Sequence, residues 1–207
     1  MDTLIISVLN QKGGVGKTTI SINLADSLPG KTLLIDADKQ GSVQQWAKVA
    51  GAGFDVVHYP YDTLHKEIKT LSGAYRYVVI DGPPGKESVT KSILAISDIV
   101  IIPVRPSILD IWSSQDIIHL VTAAKGINKR LKSYLLVSQK ATGTRLGKEA
   151  RESLSGYGLT VLKTEIISRI VYADAICSGL SVQKYAPGSV AAKEIKDMVK
   201  ELLRGSK

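Results

Sequence analysis

The stretch Lys12-Gly13-Gly14-Val15-Gly16-Lys17-Thr18-Thr19 constrains the fold more than any other part of the chain. It follows an aliphatic run, Leu4-Ile5-Ile6-Ser7-Val8-Leu9, and opens a helical pattern from Thr18 to Leu28 that stops at Pro29-Gly30. A strand, a glycine-rich loop and a helix in that order make a phosphate cradle. Glycines let the backbone approach phosphate oxygens with amide hydrogens turned inward, and the positive end of the helix dipole adds to the attraction. In such a loop Lys17 binds the β- and γ-phosphates and the Thr18 hydroxyl sits on Mg2+. The general pattern G-x-x-x-x-G-K-[ST] wants glycine at position 11. This chain has Gln11 there, and an additional lysine, Lys12, at the start of the loop.

Strand and helix patterns alternate after the loop. Strands are expected at 32–35, 54–57, 77–80, 98–102, 134–137 and 159–162, and helices at 42–49, 65–71, 86–96, 111–125, 145–154 and 190–203. The runs 77–80 and 98–102 are almost wholly apolar, as strands covered on both faces are. The alternation predicts a doubly wound α/β fold with a mostly parallel sheet, and a single domain over 1–207. In that fold ligands sit at the carboxyl ends of the strands. Asp81 ends one strand, where a carboxylate can hold magnesium, and Asp36 and Asp38 end another. A lone aspartate there is often a turn or cap residue, but three beside a phosphate loop favour chemistry.

The single cysteine, Cys177, rules out a disulfide framework or a cysteine-built metal centre within one chain, and is expected to be a small buried hydrophobe. Trp46 reads as core, and Trp112 as core or a contact between copies. His58, His65 and His119 are too scattered to suggest a metal site. No apolar run is long enough to cross a membrane, and Met1-Asp2-Thr3-Leu4 lacks the basic start of a secretion signal, so a cytoplasmic location is expected. The formal charge of +8 is unevenly spread: residues 125–169 hold ten basic and three acidic side chains. Such an excess is either a solvated basic face or a field for a polyanion. Arg145, Lys148 and Arg151 recur every three residues, so they share one helix face.

Lys12–Thr19, Asp36-Ala-Asp-Lys-Gln-Gly-Ser42 and Ile80-Asp-Gly-Pro-Pro-Gly85 together resemble the ParA/MinD family of deviant Walker-type ATPases. Val104-Arg-Pro-Ser-Ile-Leu-Asp110 and Ser168-Arg-Ile-Val-Tyr172 resemble its ParA branch, in the short plasmid-partition form without an N-terminal DNA-reading domain. The resemblance implies ATP and Mg2+ as cofactors. It makes Lys12 the signature lysine, which reaches the partner's phosphates across an ATP-sandwiched homodimer and joins Lys17 and Asp38 in catalysis. Asp38 would position the attacking water, Thr18, Asp36 and Asp81 would serve the metal, and Gly82–Gly85 would sense the γ-phosphate. Gly13, Gly14, Val15, Gly16 and Thr19 complete the ATP loop, with Gln139 and Ser168 at the base. Where relatives carry proline after the water-positioning aspartate, this chain has Lys39.

The implied function is a partition ATPase. ATP binding drives dimerisation or further polymerisation and non-specific DNA binding, and a centromere-binding adaptor stimulates hydrolysis. Lys140, Arg145, Lys148, Arg151 and Arg169 are the candidate DNA contacts, with a nucleoid-associated location and no membrane partner. Two alternatives stand beside it. A membrane-cycling MinD-like ATPase needs a free amphipathic tail, whereas 194–207 carries Glu194, Asp197 and Glu201 and no aromatic anchor. A P-loop biosynthetic enzyme gives no reason for Lys12 or the basic stretch.

Overall fold

The computed structural model describes residues 3–51, 53–143 and 145–205, the side chains of 145–148 excepted. The strands are β1 (Leu4–Val8), β2 (Thr32–Asp36), β3 (Asp55–His58), β4 (Tyr77–Asp81), β5 (Ile99–Val104), β6 (Lys132–Val137) and β7 (Thr160–Val161). They form one seven-stranded sheet in the order β3-β2-β4-β1-β5-β6-β7. Every pairing is parallel, rather than most of them. The helices are α1 (Lys17–Ser27), α2 (Ser42–Ala47), α3 (Leu64–Ser72), α4 (Glu87–Ile96) and α5 (Ile108–Ser113), followed by α6 (Gln115–Ile127), α7 (Arg145–Ser155), α8 (Ile170–Cys177), α9 (Val182–Tyr185) and α10 (Val190–Gly205).

Alternation along the strands divides the core into two layers. Val8 and Val79 face a cluster with Ile20 and Leu24 of α1, Trp46 of α2, and Ile195 and Met198 of α10. Val78 and Ile80 face the other side, with Ile68 of α3, Ile93 of α4, Ile117 of α6 and Leu154 of α7. Trp46 stacks on Phe54 with ring centroids 5.9 Å apart, as a core tryptophan should. From β1 the chain winds outward to β2 and β3, returns to β4, and then crosses to β5 and beyond. The strand order reverses at β1, so the carboxyl ends of β1, β2 and β4 border one crevice, into which the glycine-rich loop opens.

Three local expectations change. The helix expected at 111–125 is two helices, α5 and α6, meeting at Ser114. The Ser113 and Ser114 hydroxyls both donate to the Asp110 carbonyl, at 3.0 and 2.8 Å, and local bonds of this kind compete with helix continuation. Two short helices, α8 and α9, occupy a stretch that carried no helical pattern strong enough to name. Cys177 is exposed, not buried: α8 buries Tyr172 and Ala175, and a residue two beyond Ala175 lies about 200° around the helix.

Candidate functional site

The glycine-rich loop joins β1 to α1 at the crevice. Gly14 and Gly16 have φ of 74° and 92°, a left-handed backbone that side chains with a Cβ rarely adopt. A Cβ built on Gly13 or Gly14 would meet nothing within 4 Å, so the mouth of the loop is open. The loop is braced by the two residues that follow β6. Ser138 Oγ donates to the Val15 carbonyl at 2.7 Å and Gln139 Nε2 to the Gly14 carbonyl at 3.0 Å. Gln139 itself has φ of 50°, an uncommon conformation for a non-glycine residue and a mark of functional sites.

Lys17 is buried, and its Nζ donates to the Lys12 carbonyl at 2.9 Å, so it lies along the inside of the loop. Burial pushes its ammonium pKa down, while Asp81 and Asp38 oppose that shift. The next residue anchors the metal side. Thr18 Oγ1 donates to Asp81 Oδ2 at 2.7 Å and Ser21 Oγ to Asp81 Oδ1 at 3.0 Å. Burial pushes the Asp81 carboxyl up to about 7, against those hydrogen bonds and the Lys17 charge, with Asp36 raising it further. A hydroxyl on a buried carboxylate beneath a phosphate loop fits Mg2+, which takes one or two protein ligands plus phosphates and waters and needs no dedicated cage. Among the described residues no group of three or more His, Cys, Asp or Glu side chains could hold a metal by itself.

Asp36 stands opposite Asp81 in register. Its two oxygens accept the backbone amides of Asp38 and Gln44 at 3.1 and 3.0 Å. It thus holds the Asp38 loop and the first turn of α2, whose preceding Gly41 offers no side chain as a cap. Asp38 is half-buried at the crevice and receives the Gln40 amide at 3.1 Å. His58, at the end of β3, contacts the Asp38 carbonyl through Nε2 at 2.9 Å. This positioning role escaped sequence reasoning, although strand register sets His58 beside Asp36. Lys39 is exposed on the same turn. A Cβ on Gly82 would meet the Leu9 side chain at 2.1 Å and the Val8 carbonyl at 3.2 Å, so any larger residue at the start of the loop after Asp81 must displace the buried Leu9 side chain.

Lys12 turns away from the loop it opens. Its Nζ pairs with Asp110 Oδ1 at 2.7 Å, and the Arg105 guanidinium reaches the same oxygen at 3.0 Å. Burial raises the Asp110 pKa, but the two cations outweigh it and hold the carboxyl below its usual range. Gln139, Ser168 and Thr19 line one cleft of about 210 Å3 beside Gly16, with Ile166 and Tyr172. A flat ring with polar edges fits such a cleft.

Of the five candidate DNA contacts, the three whose side chains are described are all ion-paired within the fold. Lys140 pairs with Glu165 at 2.5 Å. Arg151 donates to the carbonyls of Leu162 and Lys163 and to Glu165. Arg169 pairs with Glu194 at 3.2 Å. Much of their charge is therefore balanced inside the protein, by acids distant in sequence. The side chains of Arg145 and Lys148 lie outside the described residues.

The profile of the CobQ/CobB/MinD/ParA nucleotide binding domain matches residues 6–182. The chain is 33% identical over 206 residues to the "Maintenance of carboxysome distribution protein A" of Halothiobacillus neapolitanus, covering 96% of this chain and 95% of that one. It is 27% identical over 251 residues to the sporulation initiation inhibitor protein Soj of Bacillus subtilis, covering 96% and 97%. The structure of apo McdA from Cyanothece superposes with a TM-score of 0.83 at 16% identity, over 98% of this chain and 100% of that one.

Proposed function

The chain belongs to the CobQ/CobB/MinD/ParA nucleotide-binding family, and from that premise we propose that it is a ParA-type positioning ATPase. Mg2+ and ATP bind at the Lys12–Thr19 loop, two copies close on the nucleotide, and the dimer binds DNA without regard to sequence. An adaptor on the cargo then stimulates hydrolysis to ADP and phosphate. The relative of 33% identity is named for maintaining carboxysome distribution, which favours a large cellular body over a small-molecule substrate as the cargo.

The observation that carries this reading is a buried lysine inside the phosphate loop near one buried carboxylate, Asp81, with a second lysine at the rim on another, Asp110. Lys17 lies inside the loop over Thr18 and Asp81, and Lys12 stands at its rim, held by Asp110. Lys17 is placed to neutralise the β- and γ-phosphates. Magnesium would supply further positive charge on the phosphate oxygens, and Thr18 and Asp81 would hold it. Asp38, whose backbone is held by Asp36 and His58, would orient a water. Lys12 supplies a cation at the dimer boundary, where charge on the transferring phosphoryl group must be offset. A biosynthetic P-loop enzyme has no use for a second lysine that needs a partner copy.

Sedimentation velocity with Mg-ATP tests this directly. Wild type should shift to a dimer that retains duplex DNA of any sequence. Lys17→Ala should do neither, because the loop loses its phosphate cation. Asp38→Ala should bind ATP and stay dimeric because hydrolysis is blocked. A strictly monomeric Asp38→Ala protein at saturating ATP overturns the sandwich dimer.

A further inference from the structure

We infer that the outward face of α10, with Lys163 beside it, is the landing surface for the phosphate backbone of duplex DNA. This rests on the proposed function and names the surface that serves it.

Helix α10 sorts its charges by side. Lys193, Lys196, Lys200 and Arg204 recur at i, i+3, i+7 and i+11, which sets them on one face, and all four are exposed. Two of the three acids on the helix turn toward the body of the protein. Glu194 accepts from the Ile167 amide, the Arg169 guanidinium and the Tyr172 hydroxyl. Glu201 accepts from the amides of Lys163 and Thr164 and from the Thr164 hydroxyl, at 2.7, 3.0 and 2.9 Å. Their charge is used within the fold and leaves the outer face basic. Glu201 also draws the Lys163 backbone against the helix, so Lys163, Thr164, Lys200 and Arg204 line one open cleft with Asp197 and Glu201. This contrasts with Lys140, Arg151 and Arg169, whose cations are answered by Glu165 and Glu194.

The stripe suits a linear polyanion of fixed spacing. Eleven residues of helix span about 16 Å, more than the ~12 Å width of the major groove, so cations at the two ends can touch phosphates on both strands. A lipid surface is the other polyanion to weigh. Membrane-bound helices insert a free apolar face. The apolar face of α10 is almost wholly used: Ala191, Ala192, Ile195, Met198 and Leu202 are each at most 1% exposed. Only Val190, at the start of the helix, is left open at 58% exposure, and one valine makes no membrane-inserting face.

Asp197 is the exception on the basic face. It contacts Lys193 at 2.5 Å and Lys200 at 3.8 Å and so weakens the stripe at its centre. Removing that charge should tighten DNA binding, an effect that damage to the fold cannot imitate.

The test measures binding of the Mg-ATP form to two unrelated DNA duplexes across a salt titration, beside anionic phosphatidylglycerol vesicles. Lys200→Glu combined with Arg204→Glu should weaken DNA binding about tenfold or more and flatten the salt dependence by about 0.9 in slope for each phosphate no longer neutralised. Asp197→Asn should tighten binding about threefold, by freeing two cations for phosphates. ATP-dependent dimerisation should persist in both variants, since the substituted side chains are exposed. If wild type binds DNA and both variants match it in affinity and slope, the surface lies elsewhere and the inference is wrong. If wild type binds neither duplex, or binds only the vesicles, the proposed function itself fails.

Discussion

Asp81 shows how one buried carboxylate can serve both fold and site. Its pKa is raised from an ordinary carboxylate value to about 7 because burial disfavours the charged form. Between about pH 4 and 7 the folded protein therefore holds a proton that the unfolded chain releases, so this residue costs stability as pH rises. At roughly 1.4 kcal/mol per pKa unit, the cost by pH 8 is on the order of 4 kcal/mol in the nucleotide-free protein. Asp81→Asn should remove that dependence. Thermal melts without nucleotide should place the variant above wild type at pH 8, with the gap shrinking as pH falls and closing below about pH 4, while stabilisation by Mg-ATP disappears. A variant that melts lower than wild type at pH 8 would contradict the burial account. Lys12 separates fold from activity in another way. Lys12→Ala leaves Asp110 paired with Arg105 at 3.0 Å, so no buried charge is orphaned. Folding stability should change by less than about 1 kcal/mol, and nucleotide should still bind. Under the proposed function, steady-state hydrolysis should nevertheless fall at least tenfold, because the cation proposed to act across the dimer is gone.

Element by element, sequence predicts best where a periodic pattern meets a single environment. The parallel sheet and the P-loop context are legible because the strand runs at 77–80 and 99–102 are apolar on both faces. Thr18 and Asp81 can be named because strand order brings loop and strand end together by rule. What sequence does not show is the tertiary use of charge. Lys140, Arg151 and Arg169 look like a free basic set until Glu165 and Glu194 meet them, 25, 14 and 25 residues away. His58 gives no signal of its own because its partner is a backbone carbonyl 20 residues earlier. The break at Ser114 depends on two hydroxyls choosing the same carbonyl, which helical periodicity does not register. The ties of α10 give an element-scale prediction. Glu201→Ala leaves two backbone amides and the Thr164 hydroxyl without their acceptor. Water can replace part of that loss at a half-buried site, so denaturant unfolding should show a cost of about 1–2 kcal/mol. No measurable change would mean that the 163–164 segment is held by other interactions.

At the scale of the whole molecule, the unsolved surface is the one beside Lys12. Ile108, Leu109 and Trp112 of α5 are 51%, 67% and 61% exposed, although the helix that carries them is only six residues long. The same helix buries Asp110, the partner of Lys12. If Lys12 acts on a second copy, as proposed, an apolar ledge next to it is the arrangement expected of an interface that forms only with nucleotide. Burying a tryptophan and two aliphatic side chains contributes several kcal/mol at most, enough to favour closure but too little to hold a dimer without the charges that ATP supplies. Trp112→Ser should therefore bind Mg-ATP with wild-type affinity yet remain monomeric at concentrations where wild type dimerises. The wild-type protein should report the same event spectroscopically. Trp46 is already buried in the single chain, so a blue shift of tryptophan emission on adding Mg-ATP would come from Trp112 and should be absent in Lys17→Ala. Equal dimerisation of Trp112→Ser and wild type, with no emission change, would show that α5 stays in water throughout the cycle and that Lys12 meets its partner from another side.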